Sequence, residues 1–369
     1  MKIDGKEYKS IWLEESDPVV LKVIDQERLP FFFEIKELRT VEDVFSSIKD
    51  MTIRGAPVIG VAGAFGMYLA TVEITEYSNI HDHLRNAARY LISSRPTAVN
   101  LSWAVNTVLD ELSVASTVEE ARSMALSAAK KIYESEIRSC RDIGRNGLPV
   151  IKEISKRKKG KPVNILTHCN AGWLACIDYG TVTSPIYLAH KQKIPVHVWV
   201  DETRPRNQGA RLTAFELVNE NIPHTLISDN TGGHLMQHGM VDMVLTGSDR
   251  TSKNGDVANK IGTYLKALAA KDNNIPFYVA LPSSSIDFSI SNGIEEIPVE
   301  ERDAEEVTNI TGYSDGKIAS VRICPEKTRA VNYGFDVTPA RLITGLITER
   351  GICGASEKEI KKLFSDKYN

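Results

Sequence analysis

Apolar positions recur with a helical period through the first part of the chain. They predict helices over 41–50 (VEDVFSSIKD), 56–72, 96–112 and 118–144. After the basic run KRKKGK the rhythm changes. Short β-branched runs occur at Val163–Thr167, Val196–Val200, Thr225–Ser228, Val241–Thr246 and Phe277–Leu281. Helical stretches near 172–192, 207–220, 231–239 and 257–272 separate them. Strands alternating with helices predict βαβ units. The expected fold class is α/β: a C-terminal, Rossmann-like parallel sheet with helices on both faces, preceded by a mainly helical N-terminal domain.

In such a sheet the ligand sits outside the carboxyl ends of the strands. The residues just past each predicted strand are therefore the first place to look for chemistry. His168, Cys169 and Asn170 follow the first strand, Asp201 and Glu202 the second, and Asp229 and Asn230 the third. Gly247, Ser248, Asp249 and Arg250 follow the fourth. Strand-to-helix loops are polar in any protein, but four such ends in succession favour a pocket. Cys169 follows an extended run, so the side chain of His168 points away from it. The expected role of His168 is structural. Cys176 lies two helical turns beyond Cys169 and reads as core.

Composition narrows the picture by exclusion. Forty-five basic and 48 acidic residues give a formal net charge of −3, so no overall field recruits nucleic acid or anionic membrane. The stretch Pro57–Val72 is uncharged but too short to span a bilayer comfortably. The opening MKIDGKEYKS is too polar for a secretory signal. A cytoplasmic protein with no membrane partner is expected. The basic run Lys156–Lys161 reads as a solvated linker rather than a nucleic-acid patch. It divides the chain into a helical domain, 1–155, and a sheet domain, 156–369.

The cysteines number five, an odd count, and no CxxC occurs. That argues against a disulfide framework and a thiol–disulfide redox motif. Adjacent His168 and Cys169 are poorly spaced for one zinc ion, so no metal is expected. Neither GxGxxG nor GxxxxGK[ST] is present, which removes the usual dinucleotide and P-loop signatures. No cofactor is expected.

Three places suit a single phosphate instead. Asn254, Gly255 and Asp256 form a turn, after which Asn259 and Lys260 are predicted in the first turn of a helix. Arg95 precedes Pro96, a favourable first helical residue. Arg54, Gly55 and Ala56 open the helix predicted over 56–72.

Several long motifs carry a resemblance. They are IRGAPVIGVAGAFG (53–66), SSRPTAVNLSWA (93–104), THCNAG (167–172), ETRPRNQGARLTAFEL (202–217), GSDRTSKNGDVANKIGT (247–263), IPVEERD (297–303) and FDVTPARLITGLITERGI (335–352). Over nearly its whole length the chain resembles the methylthioribose-1-phosphate isomerase family. That family is related to ribose-1,5-bisphosphate isomerases and to regulatory subunits of the eukaryotic translation-initiation exchange factor. The resemblance implies conversion of an aldose 1-phosphate, modified at C5, into a ketose 1-phosphate, and a homodimer. It implies Cys169 and Asp249 as catalytic residues. It further implies Arg54, Gly55, Ala56, Arg95, Gln208, Asn259 and Lys260 as the residues that hold the sugar phosphate. One departure is Gly247-Ser248-Asp249-Arg250, where the family pattern is GADR; the aspartate is kept.

The substrate poses a particular difficulty. Its anomeric oxygen carries the phosphate, so the ring cannot open spontaneously to a free aldehyde. A proton must reach the ring oxygen, and a carboxylic acid whose pKa is raised by burial can deliver it. Asp249 is the candidate. Cys169 is expected beside the reacting carbons. Within the enzyme class the competing substrate is 5-deoxyribose 1-phosphate, which differs only at C5; a small apolar group gives only about 1–3 kcal/mol of discrimination. Outside the class, the competing function is a non-catalytic regulatory subunit, which has no need of Cys169 or Asp249.

Overall fold

The computed structural model describes residues 1–74 and 79–368. The chain begins with a small hairpin, β1 (Lys2–Ile3) and β2 (Lys6–Glu7), and an antiparallel sheet of β3 (Ile11–Leu13), β4 (Leu21–Ile24) and β5 (Ile35–Leu38). Helices α1 (Val41–Lys49), α2 (Ala56–Val72), α3 (Ile80–Ser93), α4 (Val99–Glu111) and α5 (Val118–Lys158) follow. Thr40 and Thr117 cap α1 and α5, each in a capping box with an acidic residue three positions on. Helix α2 is apolar all round and lies at the centre of this half, packed against α1, α3, α4 and α5.

The second half contributes α6 (Trp173–Cys176), α7 (Thr183–Lys191), α8 (Ala214–Asn219), α9 (Thr231–Gln237) and α10 (Thr263–Asp272). Its strands are, in chain order, β6 (Val163–Thr167), β7 (Val196–Asp201), β8 (His224–Ile227), β9 (Met243–Thr246), β10 (Arg250–Ser252), β11 (Val257–Lys260), β12 (Phe277–Ala280), β13 (Ile286–Asp287), β14 (Asn309–Ser314), β15 (Lys317–Arg322), β16 (Phe335–Thr338), β17 (Gly345–Thr348) and β18 (Gly351–Cys353). Seven of them form one sheet in the order β18-β17-β12-β9-β6-β7-β8, parallel except for β18.

Alternate residues of its strands feed two cores. Ile165, Val198, Met243 and Leu245 pack with α5, α7 and α8 on one face. Leu166, Val244, Phe277 and Val279 pack with α9 and α10 on the other. Beside this sheet stands a smaller one, ordered β13-β10-β11-β16.

The strand order locates the crevice. From β6 the chain steps outward to β7 and β8, then returns to place β9 on the other side of β6. The direction of winding reverses between β6 and β9, and such a switch point opens a cleft at the carboxyl ends. Cys169 follows β6 and Asp249 follows β9.

Several elements differ from the sequence expectation. Helix α3 is additional to the expected helices, with Leu84, Ala87, Ala88 and Leu91 as its buried stripe. Helix α4 begins at Val99, so Arg95 and Pro96 lie in the turn before it. Helix α5 does not stop near residue 144 but continues to Lys158. Its glycines are there for close packing: a Cβ at Gly144 would lie 2.1 Å from Ser184 Oγ of α7. The run Lys156–Lys161 is therefore the end of a helix and its turn, with Lys159 and Gly160 in left-handed conformations, rather than a linker.

The stretch 172–192 is two helices, broken where Ile177, Tyr179 and Gly180 take positive φ. Residues 257–260 form strand β11, paired with β10 and β16, and the helix begins only after Gly262 at φ 102°. Asn259 and Lys260 thus sit on a strand and not in a first helical turn.

Candidate active site

All nine residues singled out from the sequence line one cleft of about 600 Å³, counting its part open to solvent. They arrive from six places: the start of α2, the turn before α4, the end of β6, the end of β9, the loop after β7, and strand β11.

Arg54 and Gly55 form the entry to α2. Gly55 has φ 106°, and a Cβ there would lie 2.5 Å from the Ala175 Cβ, so only glycine fits between α2 and α6. The Arg54 guanidinium reaches across to the β6 end. It donates to the Asn170 carbonyl at 2.9 and 3.2 Å and to Asn170 Oδ1 at 2.6 Å. Asn170 in turn donates to Thr213 Oγ1 at 3.2 Å and Glu216 Oε1 at 2.9 Å. Glu216 is wholly buried and also receives the Trp173 and Leu174 amides, at 3.0 and 3.1 Å, and the Tyr187 hydroxyl at 2.9 Å. One carboxylate therefore fixes the start of α6 and, through Asn170, the arginine.

Cys169 has φ 65°. Its amide donates to Thr203 Oγ1 at 2.8 Å and its carbonyl accepts from Thr213 Oγ1 at 2.7 Å. Asp249 sits in the short turn joining β9 to β10, and its amide donates to the Ala258 carbonyl of β11 at 3.0 Å. That contact sets Asp249 beside Asn259 and Lys260. Burial pushes the Asp249 carboxyl up, and although Lys260, Arg95 and Arg54 pull it down, the net shift is upward. Burial likewise pushes the Lys260 ammonium down, against the opposing pull of Cys169 and Asp249.

Lys260 donates to the Gly334 carbonyl at 2.9 Å and lies 4.8 Å from the centre of the Phe335 ring. Arg95 pairs with Glu300 at 3.1 Å, near the same ring. Burial pushes Glu300 up, but Arg95 and Arg302 more than reverse it and hold the carboxyl below its usual range. The Asn259 amide donates to Thr263 Oγ1 at 3.0 Å. Gln208, on the loop after β7, keeps a buried Oε1 with no hydrogen-bond partner among the described residues, as does Nε of Arg54. Three cations, Arg54, Arg95 and Lys260, thus line a cleft that also holds a thiol and a carboxyl with raised pKa. That combination suits an anionic substrate undergoing proton chemistry.

Among the described residues one group, His168, Asp201 and Asp229, has the make-up of a metal site. A cation already occupies it. Lys266 Nζ lies 3.0 Å from Asp201 Oδ2 and donates to the Asp229 carbonyl at 2.8 Å. His168 Nδ1 faces Asp201 at 3.0 Å and Nε2 faces the Ile261 carbonyl at 2.8 Å. With both ring nitrogens engaged, His168 offers neither a free lone pair for a base nor a ligand, and it braces the β6 and β7 ends.

Residues missed by the sequence reading fall into two kinds. Phe335, which opens β16 and pairs with Lys260, and Glu300, in an irregular segment, are far from the other site residues in sequence and gave no local signal. Glu216 and Thr213 look like ordinary polar positions of an amphipathic helix; only the tertiary fold buries them.

The sequence profile of the initiation factor 2 subunit family matches residues 52–355. The chain belongs to that family. Among family proteins it is 56% identical, over 367 residues and the full length of both chains, to a methylthioribose-1-phosphate isomerase of Desulfatibacillum aliphaticivorans. It is 55% identical over 369 residues, again full length, to one from Sinorhizobium medicae. A solved structure of 5-methylthioribose 1-phosphate isomerase from Pyrococcus horikoshii superimposes with TM-score 0.83 at 37% identity, covering 98% of this chain and 97% of that one. A structure described as the delta subunit of translation initiation factor eIF-2B from A. fulgidus matches with TM-score 0.79 at 36% identity, covering 97% and 100%. Within the initiation factor 2 subunit family, this member stands with the isomerases.

Proposed function

We propose that the chain interconverts 5-methylthioribose 1-phosphate and 5-methylthioribulose 1-phosphate, the aldose–ketose step of methionine salvage. The observation that carries this reading is the placement of Cys169 and Asp249 on the two sides of the β6/β9 switch point, in a cleft lined by three cations. A regulatory subunit has no use for that pair. The naming of full-length relatives at 52–56% identity favours the methylthio substrate over 5-deoxyribose 1-phosphate.

In this reading Arg54, Arg95 and Lys260 hold the phosphate, with Gly55, Ala56, Gln208 and Asn259 shaping and polarising the rest of the cleft. Asp249, whose carboxyl burial pushes above the usual aspartate range, gives its proton to the ring oxygen as the C1–O4 bond breaks. The hydrogen on C2 then moves to C1, and the C2 hydroxyl returns a proton to Asp249, leaving a ketone at C2. The acid is regenerated and no external redox partner is consumed. Cys169 stands beside the carbons between which hydrogen moves. Residues 1–155 supply Arg54 and Arg95, and residues 156–369 supply the catalytic pair.

We place the reaction in the cytoplasm, in keeping with five free thiols, and read the functional form as a homodimer. Tyr313, Val321, Ile323, Val331 and Tyr333 are exposed along the β14–β15 hairpin and the segment after it, a surface that a second copy can cover. Sedimentation velocity should give twice the chain mass; a monomer at micromolar concentration contradicts the dimer.

The deciding assay compares turnover of the methylthio, 5-deoxy and 5-phospho forms of ribose 1-phosphate. The methylthio form should give the highest kcat/KM, and Cys169→Ser should lose at least about 100-fold in kcat. Folded protein that turns over none of the three returns the chain to the regulatory reading.

A further inference from the structure

Just past the ends of β6 and β7, Cys169 at φ 65° and Thr203 at φ 67° have left-handed backbones. For a β-branched residue such as Thr203 this conformation is strained, and it persists only where the surroundings over-determine it. They do so here. Asp229, past the end of β8, accepts the Thr203 and Arg204 amides at 2.8 and 2.7 Å. The Thr203 carbonyl accepts the Asn207 amide at 2.8 Å, which closes the loop that carries Gln208. Gly209 completes the fit, because a Cβ there would lie 1.7 Å from the Asp201 carbonyl oxygen.

This arrangement commits both functions of the Thr203 hydroxyl. Its single proton goes to the Asp201 carbonyl at 3.0 Å. A lone pair is then left facing the Cys169 amide, which donates to it at 2.8 Å. The wholly buried side chain of Thr203 is thus a bridge from the end of β7 to the end of β6. We propose that Thr203 is a positioning residue whose hydroxyl holds Cys169 in its left-handed conformation and so sets the aim of the thiol into the cleft. The chain of contacts runs from Asp229 through Thr203 to Cys169. The inference rests on the isomerase reading for its kinetic arm only.

Thr203→Val keeps the shape and removes the hydroxyl, leaving the Cys169 amide unpaired. We expect kcat to fall about 30-fold, within the range that a small misplacement of a reacting group costs, with KM changed less than threefold. Thr203→Ser keeps the hydroxyl and should restore kcat to within threefold of the parent. A second readout needs no substrate. The rate at which iodoacetamide alkylates Cys169 in the free protein, followed by peptide mapping, should change at least threefold in Thr203→Val and stay at the parent value in Thr203→Ser. If the valine protein does not fold, Thr203→Ala is read in the same way. Parent-like kcat and alkylation in Thr203→Val overturn the proposal, and so does a serine variant as impaired as the valine one. Parent protein inactive on every ribose 1-phosphate refutes the isomerase reading instead, and the alkylation comparison still decides the role of Thr203.

Discussion

Replacing Asp249 by asparagine is expected to lower kcat by about 10³-fold without loss of the fold. Asparagine matches the shape of the carboxyl but has no proton to give to a ring oxygen. The same carboxyl should shape the pH profile. Because burial raises Asp249 above the usual aspartate range, its acid form persists to higher pH. The descending limb of kcat/KM that it sets should therefore lie above that range and vanish with the residual activity in Asp249→Asn.

The linkage to stability runs in the same direction. A carboxyl whose pKa is raised on folding contributes most below its unfolded pKa, and that contribution is lost as pH rises through the folded value. Above it, a buried charge has to be carried. Asp249→Asn removes that charge, so the variant should melt at a higher temperature than the parent at pH 8, with the gap closing toward pH 4. Calorimetry across that pH range, beside the turnover assay, checks both halves. An Asp249→Asn protein with a tenth of the parent's kcat would take the proton transfer away from this residue.

The second large effect is on the scaffold. Glu216→Ala should cost about 4 kcal/mol, since four buried donors lose their acceptor at roughly 1 kcal/mol each. Urea denaturation measures this directly. The loss should reach function through Arg54, whose bonds run to Asn170 and whose register depends on the Asn170–Glu216 contact. KM should rise well before kcat falls. Glu216→Gln keeps one good acceptor but turns an amide toward the Trp173 and Tyr187 donors, so an intermediate loss of about 2 kcal/mol is expected. A Glu216→Ala protein as stable as the parent would mean that water or a rearranged side chain satisfies those donors.

The sequence made the main sheet legible because its strands are short apolar runs set between turn signals. The rule that ligands gather at carboxyl ends brings the residues after four strands into view, Cys169 and Asp249 among them, and the family resemblance singles out that pair. Strand order was not legible, since it depends on which runs pair across long separations, and the switch point between β6 and β9 appears only in the fold. Lys260 was placed in the cleft for the wrong local reason. VANK has the pattern of a first helical turn, whereas pairing with β10 and β16 draws it into a strand. Helix α5 runs on past 144 because Gly144 and Gly147, residues that weaken a helix by themselves, serve as the close contact with α7. Gln208 had no local signature and entered through family resemblance alone. Thr203 was invisible for a deeper reason: nothing in the string ETRP shows that its threonine has positive φ.

One consequence belongs to α5. Its first half places Ala121, Ala125, Ala128 and Ile132 in the core around α2, and its second half places Ile143, Leu148, Ile151 and Ile154 in the core beneath the sheet. A single rod of 41 residues, about 60 Å long, is thereby a shared member of both. Neither core can loosen without withdrawing support from the other. The arginines delivered by the helical half and the thiol delivered by the sheet are accordingly coupled in melting as well as in space, and partial unfolding of either half dissolves the catalytic cleft with it.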